Sequence, residues 1–137
     1  MTDVKISDIW ETHMNYRRHL TIVTLLLLGT LRASAADITG TWKASFDTQI
    51  GTQNYTYEFV VKDTTLTGTL QSNMGAAGEI KQGKVEGDKV SFVEMFKFEG
   101  NEIQITYTGK ITSNDEIKFT RQVADFATEE LVAKRVK

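Results

Sequence analysis

The chain of 137 residues has no cysteine and no proline, and its two histidines stand at His13 and His19. Without cysteine there is no disulfide framework, no thiolate nucleophile, no zinc ribbon and no lipid-bearing cysteine. The lack of proline suits continuous strands, because proline removes a donor from a sheet ladder. Charge of one sign is also missing. Sixteen Lys and Arg face eighteen Asp and Glu, a net charge of −2, which gives no electrostatic footing for nucleic acid or an anionic membrane surface. The longest apolar run, Leu20 to Leu31, covers 12 residues. A bilayer core needs roughly 20. No phosphate loop or dinucleotide fingerprint occurs. Gly75-Ala76-Ala77-Gly78 lacks the following helix that phosphate binding needs, and reads as a small-residue loop.

What is present before residue 37 reads as an address. Arg17 and Arg18 precede the apolar run, and Ala33-Ser34-Ala35-Ala36 follows it. A basic segment, a short apolar core and an Ala-x-Ala ending predict a secretory signal-peptide helix, cleaved after Ala35 or Ala36. The expected location is therefore periplasmic or extracellular, with no membrane span left after cleavage. Asp3, Asp8 and Glu11 are out of place in such a segment, so Met14 is a better start than Met1. The expected division is 1–36 as extension and signal, and 37–137 as one domain. Both histidines leave with the signal. Twelve Lys and Arg against fifteen Asp and Glu then remain, a net charge of −3. A mature chain without His or Cys builds no Ser-His-Asp triad, Cys-His dyad or customary zinc or copper site. Neither a metal nor a cofactor is expected.

The rest alternates. Trp42, Ala44 and Phe46 interleave with Lys43, Ser45 and Asp47, and Tyr55, Tyr57, Phe59 and Val61 interleave with Thr56, Glu58, Val60 and Lys62. Period 2 marks half-buried strands. Ile50 to Asn54 reads as a turn-like break, and Gln71 to Gly78 as a loop without periodicity. Hairpin signals follow at Gly87-Asp88, Gly100-Asn101 and Asn114-Asp115. Gly, Asn and Asp accept the positive φ of such turns. Val90, Phe92, Glu94, Phe96 and Phe98 share one phase, Ile103, Ile105 and Tyr107 another, and Ile117, Phe119, Arg121 and Val123 a third. The last segment, Glu129 to Val136, is expected to be a closing strand, because a meander hides both its edges by pairing the last with the first. The pattern predicts an all-β domain: a single small antiparallel up-and-down barrel of about eight strands.

Two groups of residues stand out as candidate site residues. Glu94 and Arg121 fall on the inward phase among apolar neighbours. They form either a buried polar pair lining a ligand cavity or a structural ion pair. A β-bulge that turns both to solvent is a third possibility. If the protein is a hydrolase, Glu94 is the favoured acid, since glycoside cleavage needs only carboxylates. Trp42, Tyr55, Tyr57 and Tyr107 suit a sugar-stacking platform or a pocket lining, although their alternation also accounts for them as core.

At Gly40-Thr41-Trp42 the chain resembles the opening of the lipocalin/calycin family, a Gly-x-Trp on the first strand. In that family an arginine near the last strand packs over the tryptophan, and the resemblance gives this place to Arg135, with Arg121 as the second choice. More broadly, residues 37–135 resemble a small secreted domain of environmental bacteria. The segments that carry this are Gly40-Thr41-Trp42, Phe46-Asp47-Thr48-Gln49-Ile50-Gly51, Gly83 to Phe92 and Phe126 to Arg135. Such domains occur alone or beside glycoside hydrolase modules, so the resemblance implies a link to extracellular polysaccharide.

These readings converge on a secreted, non-catalytic binding domain for a carbohydrate or a small ligand, a monomer or weak oligomer. Its expected contacts are Trp42, Tyr55, Tyr57, Glu94, Tyr107 and Arg121. A small glycoside hydrolase and a structural or protein-binding barrel are the alternatives.

Overall fold

The computed structural model of the chain describes residues 35–137. Nine strands follow in order: β1 (Gly40–Thr48), β2 (Gly51–Lys62), β3 (Thr65–Ser72), β4 (Ala77–Glu79), β5 (Lys81–Glu86), β6 (Lys89–Phe98), β7 (Asn101–Ser113), β8 (Glu116–Val123) and β9 (Ala127–Arg135). All pairings are antiparallel. Eight strands close into a barrel in the order β1-β2-β3-β5-β6-β7-β8-β9, and β9 returns to β1 through Trp42 opposite Arg135. β4 is a ninth, short strand laid against β3. The signal-peptide expectation, but for Ala35 and Ala36, falls outside the described residues.

Alternation dictates this result. Inward phases of β1, β2, β6, β7 and β8 are apolar or aromatic except at Gln53, Glu94 and Arg121, and outward phases carry mainly Lys, Thr, Glu and Ser. This is the reverse of the apolar-out pattern of a lipid-facing barrel. Two differences from the sequence reading have simple causes. The Ile50–Asn54 break shrinks to a two-residue turn, because Thr48 faces Gly51 and the polar run Thr52-Gln53-Asn54 pairs with Ser45-Phe46-Asp47. The Gln71–Gly78 loop contributes Gln71 and Ser72 to β3 and its last residues to β4, with Ala77 opposite Gln71.

An up-and-down order sorts the turns to two ends. One end carries the turns after β2, β5 and β7, and the segment leading into β1. The other carries the turns after β1, β3, β6 and β8, and with them the exposed apolar side chains Ile50, Met74, Phe98 and Phe126. Phe98 keeps the inward phase expected of it but lies at this rim, where β6 runs out of barrel to cover it.

Candidate functional site

The interior is layered along the barrel axis. At the end holding the amino-terminal segment, Trp42 is 0% exposed. Its indole Nε1 donates to the Ile38 carbonyl at 2.9 Å. The Arg135 guanidinium lies 4.6 Å from the ring centroid. Arg135 also donates to the carbonyls of Asn114, Thr39 and Asp37, at 2.8, 2.7 and 3.3 Å. These bonds and the cation–π contact close this end. The arginine over the tryptophan is thus Arg135, and Trp42 presents no face to a cavity.

Above this plug, Tyr57, Phe59, Phe92 and Phe119 form an aromatic floor. Phe92 stacks on Tyr107 with centroids 4.3 Å apart, and Phe119 meets both edge-on at 5.6 and 5.8 Å. Such contacts are typical of offset-stacked and T-shaped pairs.

The next layer is polar and buried. Glu94 on β6, Tyr107 on β7, Arg121 on β8 and Tyr55 on β2 meet on the axis. The Tyr55 and Tyr107 hydroxyls donate to the two oxygens of Glu94, each at 2.8 Å. Arg121 donates through Nε to the Tyr107 hydroxyl at 2.9 Å and through Nη2 to Tyr55 at 3.2 Å. Its Nη1 is paired with Glu129, its cross-strand neighbour on β9. Arg121 and Glu94 are themselves 3.9 Å apart, so the tyrosines bridge the pair. Tyr57 joins weakly, its hydroxyl 3.4 Å from that of Tyr107. Burial pushes the Glu94 carboxyl above its ordinary value of 4.5. The tyrosine hydrogen bonds and the Arg121 charge pull the other way, and the Glu129 charge adds to the rise. Tyr55, Tyr57 and Tyr107 are also raised, chiefly by burial.

Five of the six sequence-predicted residues therefore converge in one belt and floor: Tyr55, Tyr57, Glu94, Tyr107 and Arg121. Trp42 stands apart. Arg121 alone of the six also borders open space. Between it and the rim with the turns after β1, β3, β6 and β8 lies a cleft of about 240 Å³. Its walls are Phe96, Ile103, Ile105 and Val123, its base is Arg121 with Glu129, and Gln53 closes one side. Ile50, Phe98 and Phe126 form the lip.

Comparison with family models, curated proteins and solved structures gives no match. The geometry alone therefore carries the functional argument.

Gln53 is the residue that sequence reasoning missed. It is 2% exposed, and its Oε1 is the one buried side-chain polar atom without a partner among the described residues. Its inward phase follows from the register, which sets it opposite Phe46. The sequence signal was available only as phase: Gln53 is two residues before Tyr55. Among the described residues no cluster of His, Cys, Asp or Glu has metal-binding geometry.

Proposed function

We propose that this is a non-catalytic binding barrel that takes a small, largely apolar molecule in the cleft above the Arg121–Glu94 belt. The observation that carries this reading is the cleft itself. It is a concave space with apolar walls and a few convergent polar groups, set in the mouth of a barrel, which is where ligand sites of such folds form. The belt beneath supports it. Both oxygens of Glu94 are held by tyrosine hydroxyls, and the Arg121 nitrogens are held by Tyr55, Tyr107 and Glu129. Such a mutually satisfied network serves better as a rigid base than as an acid aimed at a substrate. For the glycoside hydrolase alternative, a sugar oxygen would have to displace one of these tyrosines to reach Glu94.

The barrel's small mouth favours a small molecule over a polysaccharide, whose aromatic platform is usually broad and exposed. Here Trp42, Tyr55, Tyr57 and Tyr107 are all buried. Secretion to the periplasm or the medium, and an association with polysaccharide breakdown, stay part of the proposal on the strength of the amino-terminal pattern and the domain resemblance. Recovery of the exported chain with an amino terminus at Ala36 or Asp37 checks the first. Pull-down on polysaccharides with an assay for reducing ends checks the second.

Ile103→Trp tests the cleft directly. The indole fills the space between Phe96 and Val123. A set of small apolar probes that binds the unmodified chain should lose affinity by at least about tenfold in the variant. Equal binding to both proteins would move the site elsewhere.

A further inference from the structure

The outer wall of the barrel carries a basic row that works against the sheet. Lys89 on β6 stands opposite Lys110 on β7, and Lys110 stands opposite Lys118 on β8. All three side chains are exposed. Like charges set directly opposite one another destabilise a sheet. Lysines often guard an open strand edge, but β6, β7 and β8 are each paired on both sides and have no edge to guard. Nearby carboxylates give partial relief. Asp88 lies 3.9 Å from Lys110, with both groups mostly exposed. Glu86, the cross-strand neighbour of Lys89, is bonded instead to Lys84 at 2.8 Å. Glu116, two residues before Lys118, is held by Lys134 and Thr112, each at 2.6 Å. Among the described residues neither Lys89 nor Lys118 makes an ion pair.

A second row runs beside the first. Two residues along each strand, Ser91, Thr108 and Thr120 face one another in the same register. These short side chains and the longer lysines line a trough of about 530 Å³. Four lysines and two carboxylates border it, although acids outnumber bases in the whole chain. Each of the three strands thus presents one ammonium and one hydroxyl, at intervals of about 4.8 Å. At Lys118 and Thr120 the trough adjoins a second hollow that holds Asp47 and Glu130, where the charge turns negative. The occupant that suits such a trough is anionic, rich in hydroxyls and repeats at the spacing of the strands. A chain of uronic acid residues meets all three conditions. Each ring carries a carboxylate and free hydroxyls, and its rise along an extended chain is close to the strand spacing. Flexible lysine stems follow carboxylates that alternate in direction. Single-stranded nucleic acid fits less well, because it calls for aromatic faces to stack its bases, and no aromatic side chain borders the trough.

We propose that the outer wall of β6, β7 and β8 binds anionic polysaccharide, a uronate stretch of about three residues at the strand spacing. Its carboxylates lie on Lys89, Lys110 and Lys118, and its hydroxyls on Ser91, Thr108 and Thr120. The trough shares no residue with the cleft, and this inference stands whether or not the cleft holds a ligand.

Calorimetric titration of the purified full chain with tetragalacturonate tests this. The oligomer should bind, and its affinity should fall about tenfold or more between about 20 mM and about 200 mM sodium chloride, as salt screens exposed charges. The triple substitution Lys89→Gln, Lys110→Gln and Lys118→Gln should weaken binding at least about tenfold. The fully methyl-esterified oligomer, which keeps hydroxyls but no charge, should lose as much. Lys43→Gln, Lys62→Gln and Lys97→Gln together remove the same charge from elsewhere on the surface and should leave binding unchanged, as should Ile103→Trp. Equal binding by the first triple variant, or by the methyl ester, overturns the inference. Tighter binding of a short oligothymidylate at the same salt overturns the choice of polysaccharide over nucleic acid. Amide shift mapping on the unmodified chain needs no variant: shifts should gather at Ser91, Thr108, Lys110 and Thr120, and shifts gathered at Ile103 and Val123 instead would overturn the site. Failure of tetragalacturonate to bind overturns this inference and leaves the reading of the cleft untouched.

Discussion

Glu94 decides how the polar belt behaves. Removing it strands Arg121, Tyr55 and Tyr107 in a buried layer, so Glu94→Ala should lower stability by about 3–5 kcal/mol in urea unfolding. Glu94→Gln keeps the shape and most of the hydrogen bonds but removes the titration. The carboxyl sits above its ordinary value of 4.5 in the folded barrel, so the folded state holds a proton that the unfolded chain has released. Its contribution to stability is fully present below the unfolded value and is lost as pH rises through the folded value. Unfolding of the wild type and Glu94→Gln, compared from about pH 4 to about pH 7, should show the wild type losing ground as pH rises. A difference that is flat across this range would mean that Glu94 binds its proton equally in the folded and unfolded chains, with no upward shift on folding. At the opposite end, Arg135→Ala removes the cation over Trp42 and the donors to three carbonyls. Because Arg135 is partly open to solvent, the expected loss is about 1–3 kcal/mol, read from thermal unfolding.

Strands were the most legible elements, for a physical reason. Each has one face in a core and one in water, so period 2 is written directly into β1, β2, β6, β7 and β8. β9 was legible through an edge argument and duly closes on β1. β4 was not, since three residues with every side chain exposed carry no period. The inward phase of Glu94 and Arg121 could be read from their neighbours. Their meeting with Tyr55 and Tyr107 could not, because these residues lie on strands from different parts of the wall and converge only once the barrel closes. Gln53 hid for a related reason: a polar residue in a turn-like run looks solvated until the pairing with Phe46 turns it inward. Close approach of strands is a further element-scale constraint. A Cβ on Gly68, at φ +149°, would stand 1.8 Å from the Glu58 carbonyl oxygen. Gly68→Ala should therefore prevent correct β2–β3 pairing and yield protein that is unfolded or aggregated by size-exclusion chromatography.

At the scale of the molecule, the barrel has one plugged end and one end with a cleft, and the buried belt between them fixes the cleft's base. The walls on all sides come from different strands, so the cleft exists only while the barrel is closed. Deleting residues 127–137 removes β9 and exposes the edges of β1 and β8, which should abolish binding and promote self-association. A small molecule is proposed to occupy the cleft at this open end. Amide chemical-shift mapping during a titration with 1-heptanol tests it most directly. Saturable shifts should gather at Gln53, Phe96, Ile105, Val123 and Ala127, with Trp42 and Arg135 unmoved. Shifts gathered around Trp42 instead, or no saturable shift at any amide, would contradict it.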